Sequence, residues 1–230
     1  AAEYLICSIA ENKNDIGILL SRGVKRASEE LGAPATEIAM HTKGLESPAW
    51  GPRGVSGMGL ALMTADRGGC HQRGFPVSYE LSGEWEGIAL DPLSPEGKAP
   101  MVVALQNYSA GTDALVKCDF GSFGISDTTY AEMLSAATGR ELNPDMFPEL
   151  GERIWNLIRC FNLAQGIGPE EDTLPMRFVK EGIADGPAKG CRITKEDMVQ
   201  MKQEYYKIRG WDEKGVPLSD TLTRLKLRKL

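Results

Sequence analysis

The chain has 230 residues, 42% of them hydrophobic, 25% charged and 7% aromatic, enough to bury a sizeable core and too evenly mixed for a disordered segment. Its 26 Lys and Arg against 32 Asp and Glu leave a net charge of −6, which argues against a phosphate backbone as the main partner, so no nucleic acid is expected. No run reaches the roughly 18 to 20 apolar residues of a membrane span, and the first residues lack the basic start and small-residue cleavage site of a secretory signal; a soluble, cytoplasmic protein is expected.

From Asp15, apolar residues at Ile16, Leu19, Leu20, Val24, Ala27 and Leu31 recur at three- and four-residue steps until Gly32-Ala33-Pro34, which predicts one helix with one buried face. Residues 36 to 56 crowd glycine and proline together and predict an ordered loop. Met58 to Ala65 is a short apolar segment ending at Gly68-Gly69, where the backbone can pass close to whatever lies opposite. The best strand candidate is Val77 to Leu81. Helices are predicted over 98–111, from a Ser126 cap to Gly139, and from Asn143-Pro144 to about Gly166 with Ile154, Leu157, Ile158 and Phe161 on one stripe. Thr194 and Asp197 have the spacing of a capping box for a helix carrying Met198, Met201, Tyr205 and Ile208 on one face. A last capped segment runs from Ser219 into Arg224, Lys226, Arg228 and Lys229, cations suited to a helix C-terminus. The class is therefore all-α with little or no β structure. Trp155, Phe161, Met198, Met201 and Tyr205 are assigned to the core.

The five cysteines (Cys7, Cys70, Cys118, Cys160, Cys191) are odd in number and widely spaced, which fits reduced thiols better than a disulfide framework or a compact metal knuckle. Cys7 and Cys160 lie in hydrophobic runs and read as buried. Cys118 beside Lys117, and Cys70 beside His71, could each favour the thiolate that binds metal, and spacing does not choose between them. Of the two histidines, His41 reads as a loop hydrogen-bonding residue. His71 stands between Arg67 and Arg73 on a glycine-loosened backbone, a setting suited to proton transfer beside an anionic ligand. Taken bare, that heptad would serve equally as a helix-capping loop.

Several ungapped motifs in order carry a resemblance. Arg67-Gly68-Gly69-Cys70-His71 follows Gly59-Leu60-Ala61-Leu62-Met63-Thr64-Ala65 and is preceded by Lys43-Gly44-Leu45-Glu46-Ser47-Pro48-Ala49-Trp50-Gly51-Pro52-Arg53-Gly54. After these come Asp113-Ala114-Leu115-Val116-Lys117-Cys118, Gly151-Glu152-Arg153-Ile154-Trp155-Asn156 with Phe161-Asn162, Asp172-Thr173-Leu174-Pro175-Met176-Arg177-Phe178, and Tyr205-Tyr206-Lys207-Ile208-Arg209-Gly210-Trp211. Together they resemble the C-terminal part of the tungsten-containing aldehyde:ferredoxin oxidoreductases, over most of the chain. The resemblance implies a helical cofactor-closing domain over 36–230, with residues 1–35 the terminal helix of a preceding helical domain.

The implied activity is oxidation of an aldehyde to a carboxylic acid at a tungsten (or molybdenum) bis-pterin, with electrons passed through a [4Fe–4S] cluster to ferredoxin. His71 matches the family's active-site histidine. Arg67, Arg73 and Asp113 match cofactor-binding positions, and Lys117 falls where the family uses a backbone contact. Cys118 matches the fourth thiolate ligand of the cluster. Val116 departs from the family's glycine, and Gly51 from its frequent aspartate. The other three cluster ligands, the main pterin-binding domain and the glutamate partnering the histidine have no counterpart in these 230 residues. A longer chain or a second subunit is therefore expected to complete both cofactors. Alternatives are a relative acting on an aromatic acyl-CoA thioester, or a cofactor-free helical interaction module.

Overall fold

The computed structural model describes residues 1–227, without the side chain of Phe123. Helices dominate it, as the periodicity predicts, and its strands among the described residues are two short antiparallel hairpins. In chain order the elements are α1 (Ala2–Glu11), α2 (Asp15–Leu20), α3 (Gly23–Leu31), α4 (Ala35–Ile38), β1 (His41–Thr42), β2 (Leu45–Glu46), α5 (Ser56–Thr64) and α6 (Val77–Ser82). There follow β3 (Glu84–Trp85), β4 (Ile88–Ala89), α7 (Lys98–Asp113), a 3-10 turn (Asp119–Phe123), α8 (Asp127–Thr138), α9 (Met146–Ala164), α10 (Met176–Lys180), α11 (Lys195–Arg209) and α12 (Ser219–Arg224).

The helix predicted over 15–31 is two helices, because Gly23 takes a left-handed backbone (φ +80°). Glu46 of β2 accepts the Val24 N–H at 2.8 Å, capping α3 from a distant part of the chain. The break rotates the apolar stripe, so Ala27 is buried while Ile16, Leu20 and Leu31 are exposed. Within the glycine-rich stretch, Lys43 (φ +52°) and Gly44 (φ +85°) form the two-residue turn that joins β1 to β2.

Val77 to Leu81, predicted as a strand, is helical. Gly83 closes α6 at φ +79° with its N–H on Tyr79 O, and Val77 and Glu80 share the buried face. Glu80 is held by Lys98 at 2.9 Å, both side chains fully buried, and accepts the Gly57 N–H at 2.8 Å, which fastens α6 and α7 to the start of α5.

The core is built around α5, buried along its whole length, with α7, α9 and α11 contributing Ala99, Val102, Trp155, Met201 and Tyr205. Glycine sets the α7–α9 distance: a Cβ at Gly111 would overlap the Phe147 carbonyl, and one at Gly151 the Asn107 carbonyl. The α9 stripe is a correction. Phe161 is 55% exposed and Leu157 is exposed, while Gly151, Trp155, Asn156, Arg159 and Asn162 face the interior. Buried polar bonding explains this: Asn156 Oδ1 accepts Trp211 Nε1–H at 2.7 Å, Arg159 Nε donates to Gly215 O at 2.8 Å, and Asn162 Nδ2 donates to Asp66 O at 2.7 Å.

Thr194 and Asp197 form both bonds of the capping box, at 3.0 and 2.9 Å. Ser219 does not cap α12; Leu218 stands at that position, and Arg224 pairs with Glu152 at 2.6 Å. Arg228 and Lys229 lie outside the described residues.

Candidate functional site

Residues 65–76, between α5 and α6, carry three of the six predicted site residues, Arg67, His71 and Arg73. What the paired glycines pass is the protein's own β1–β2 hairpin. A Cβ at Gly68 would stand 2.7 Å from Thr42 O, one at Gly69 2.7 Å from Glu46 O, and Gly69 N–H donates to Thr42 O at 3.2 Å. Gly74 lies against the Gln106 side chain of α7, where a Cβ would meet Cγ at 2.9 Å. The loop is thus fixed on two sides by close backbone approach.

The hairpin is itself held from below. Lys43 Nζ donates to Met63 O at 2.7 Å and pairs with Asp172 Oδ1 at 2.9 Å; Arg159 Nη1 reaches Asp172 Oδ2 at 2.9 Å and the Tyr206 hydroxyl donates to the same oxygen at 2.5 Å. Burial alone would raise the Asp172 carboxyl, but the Lys43 and Arg159 cations outweigh it and hold it below the usual carboxylate range.

Each predicted residue has a definite place. His71 is half-buried, its ring 6.2 Å from Phe75 and 6.5 Å from Trp50, which themselves meet edge to face at 5.1 Å. Neither ring nitrogen of His71 has a protein hydrogen bond among the described residues. Arg67 Nη2 turns onto its own loop, 3.1 Å from Cys70 Sγ and 3.1 Å from Gln72 Oε1. Arg73 is committed to two carboxylates, Asp66 through Nη1 in a close ion pair and Asp113 Oδ2 through Nε at 3.0 Å. Those partners raise its guanidinium above the usual value although burial opposes them.

Asp113, the last residue of α7, is brought to the loop by that contact. Lys117 and Cys118 are not: Lys117 Nζ binds Ser122 Oγ at 2.8 Å and Asp119 Oδ1 at 3.2 Å and lies 5.3 Å from the Tyr130 ring centre. Cys118 is exposed and begins the 3-10 turn. Just before it, Val116 holds a left-handed backbone (φ +57°) with its side chain 94% exposed.

Cys70 and Cys118, alike in the sequence, differ here, the first buried beneath Arg67 and the second open. All five thiols are free. Two expectations fail: Cys7 is exposed, and His41 Nδ1 is buried without a hydrogen-bond partner among the described residues. Asp66, Trp50 and Phe75 had no role assigned to them from the sequence. Trp50 stands inside the motif that runs from Lys43 to Gly54, whereas nothing in the sequence pairs Asp66 with Arg73.

In this helical chain His71, Arg67 and Arg73 share one glycine-tightened loop, and Arg73 joins the Asp113 carboxylate to it. The family model described as "Aldehyde ferredoxin oxidoreductase, domains 2 & 3" matches residues 1–227, and the chain belongs to that family. It is 40% identical over 92% of its length to a tungsten-containing aldehyde ferredoxin oxidoreductase of Thermococcus kodakarensis, and 38% identical over 98% to one of Pyrococcus horikoshii. It spans 34% and 36% of those relatives, about a third of their length. Among solved structures it is similar in fold to a chain of the active site complex BamBC of benzoyl coenzyme A reductase in complex with 1,5-dienoyl-CoA. The TM-score is 0.73 at 18% identity, over 97% of this chain and 38% of that one. No helix among the described residues is long and apolar enough to cross a membrane.

Proposed function

We propose that residues 36–230 form the cofactor-closing domain of a cytoplasmic tungsten (or molybdenum) bis-pterin enzyme that oxidises an aldehyde to a carboxylic acid, residues 1–35 ending a preceding helical domain. The observation that supports this is that His71 and Arg73 stand on one loop to which Arg73 joins Asp113, the three residues that the sequence resemblance singles out. The balance is one aldehyde and one water giving one carboxylic acid, two protons and two electrons. The electrons would leave through a [4Fe–4S] cluster to ferredoxin.

The donors present fit part of such a cofactor set. Asp113 has Oδ2 on Arg73, so Oδ1 is the oxygen available to a ring N–H. His71 keeps both nitrogens for substrate or solvent. Cys118 offers an exposed sulfur as one cluster ligand. Among the described residues no group of three or more His, Cys, Asp or Glu could hold a metal, so in this reading the remaining ligands come from the rest of the enzyme. When bound, the tungsten–pterin supplies the two-electron chemistry. The chain's share is to take a proton on the His71 imidazole as water adds to the carbonyl, with Trp50 and Phe75 flanking that ring.

In the complete enzyme, His71→Asn keeps a polar side chain and removes the titration. It is expected to lower aldehyde-dependent dye reduction by about 100-fold or more, the scale of general acid–base catalysis, with tungsten and pterin content unchanged. Undiminished turnover would remove His71 from the mechanism. Reduction of an aromatic acyl-CoA by the same preparation, in place of aldehyde oxidation, would move the substrate assignment to the thioester class.

A further inference from the structure

We propose that Asp66 is a positioning residue, clamping Arg73 so that the guanidinium presents Asp113 to a bound ligand in a single orientation. This rests on the cofactor-binding role given to Asp113 above.

Asp66 follows α5 by two residues and is fixed in place. Its carbonyl accepts Asn162 Nδ2–H from α9 at 2.7 Å, and its side chain is 4% exposed. Oδ2 takes Arg73 Nη1, while Oδ1 is buried with no hydrogen-bond partner among the described residues. A buried carboxylate kept for stability alone would be expected to have both oxygens satisfied, because an unpaired one is strongly unfavourable. Its one direct ion pair is with Arg73, and the buried Arg209 cation acts on it only through space.

Asp113 needs such help. It ends a 16-residue helix, where the aligned peptide dipoles present negative charge, so a carboxylate there is disfavoured unless a cation offsets it. Arg73 supplies that cation with its side chain 23% exposed. An unanchored arginine at such a partly open position would trade Asp113 for water among many rotamers, since exposed ion pairs are weak and cost side-chain order. With Nη1 held on buried Asp66, fewer guanidinium orientations remain, and in the one seen Nε donates to Asp113 Oδ2 at 3.0 Å, leaving Oδ1 for a ligand. Arg73, expected as a cofactor donor, acts first as the rigid link between two carboxylates.

The test uses the natively purified holoenzyme and follows pterin release by fluorescence after dilution, in wild type, Asp66→Asn, Asp113→Asn and the double variant. Asp66→Asn is expected to speed release about tenfold, the scale of one charge-assisted hydrogen bond, and to add nothing once Asp113 is Asn. A purely structural Asp66 would speed release equally in both backgrounds, and that result overturns the proposal. Unchanged release in Asp66→Asn overturns it too. If the Asp66 variant does not fold, Asn162→Ala, which frees only the Asp66 carbonyl, is measured in its place under the same criteria. Pterin absent from wild type sinks the cofactor reading and this inference with it; pterin present with uncoupled variants sinks the inference alone.

Discussion

Val116 sets backbone against side chain. A β-branched residue at φ +57° costs about 1–2 kcal/mol in the left-handed region, and with 94% of its surface exposed it recovers almost nothing by burial. Val116→Gly should therefore stabilise the protein, the relief of strain exceeding glycine's extra unfolded-state entropy of about 0.5–1 kcal/mol. We expect a gain of about 0.5–1 kcal/mol in calorimetry; a lower melting temperature would show that the valine is held by packing. The sequence resemblance marks Val116 as a departure from an expected glycine without showing why glycine would suit the position, because φ is a property of the folded turn. Arg67, His71 and Arg73 were likewise visible within one heptad, and Asp113 in a separate motif. That Arg73 is spoken for by Asp66, and that His71 lies against Trp50 and Phe75, depends on pairs far apart or unmarked in the chain.

Between elements, Asp172 ties the β1–β2 hairpin under the site loop to α9 and α11 through Lys43, Arg159 and Tyr206. Removing its charge leaves two buried cations without their counter-ion, so Asp172→Asn should lose about 3 kcal/mol or more at pH 7. The carboxyl is held below its ordinary value of 3.8, so its contribution is complete above that pH and disappears as pH falls through the lower folded value. Urea unfolding at pH 7, 5 and 3 should show a constant gap between wild type and variant at the first two and a narrower gap at the third. A gap unchanged at pH 3 would contradict the assigned pairing. The same buried bonding explains which helices were legible. The helices over 98–111 and from Ser126 to Gly139 were predicted nearly to their ends, since caps and glycine stops act locally. The inward face of α9 was not, because Asn156, Arg159 and Asn162 turn inward for partners in Trp211, Gly215 and Asp66 that no periodicity reveals.

At the scale of the molecule, the helical class followed from periodicity alone, and the hairpins escaped it because two-residue strands carry no pattern. The chain covers about a third of its relatives, and within it Cys118 is an exposed thiol with no cluster of co-ligands among the described residues. In the proposed reading, the remaining ligands of the cofactor set come from outside these residues. The direct measurement is elemental, sulfide and pterin analysis of natively purified protein containing this chain. The account predicts tungsten or molybdenum with pterin, accompanied by about four iron and about four labile sulfide per metal, as one [4Fe–4S] cluster requires. A folded native preparation free of pterin, of both metals and of iron would contradict it.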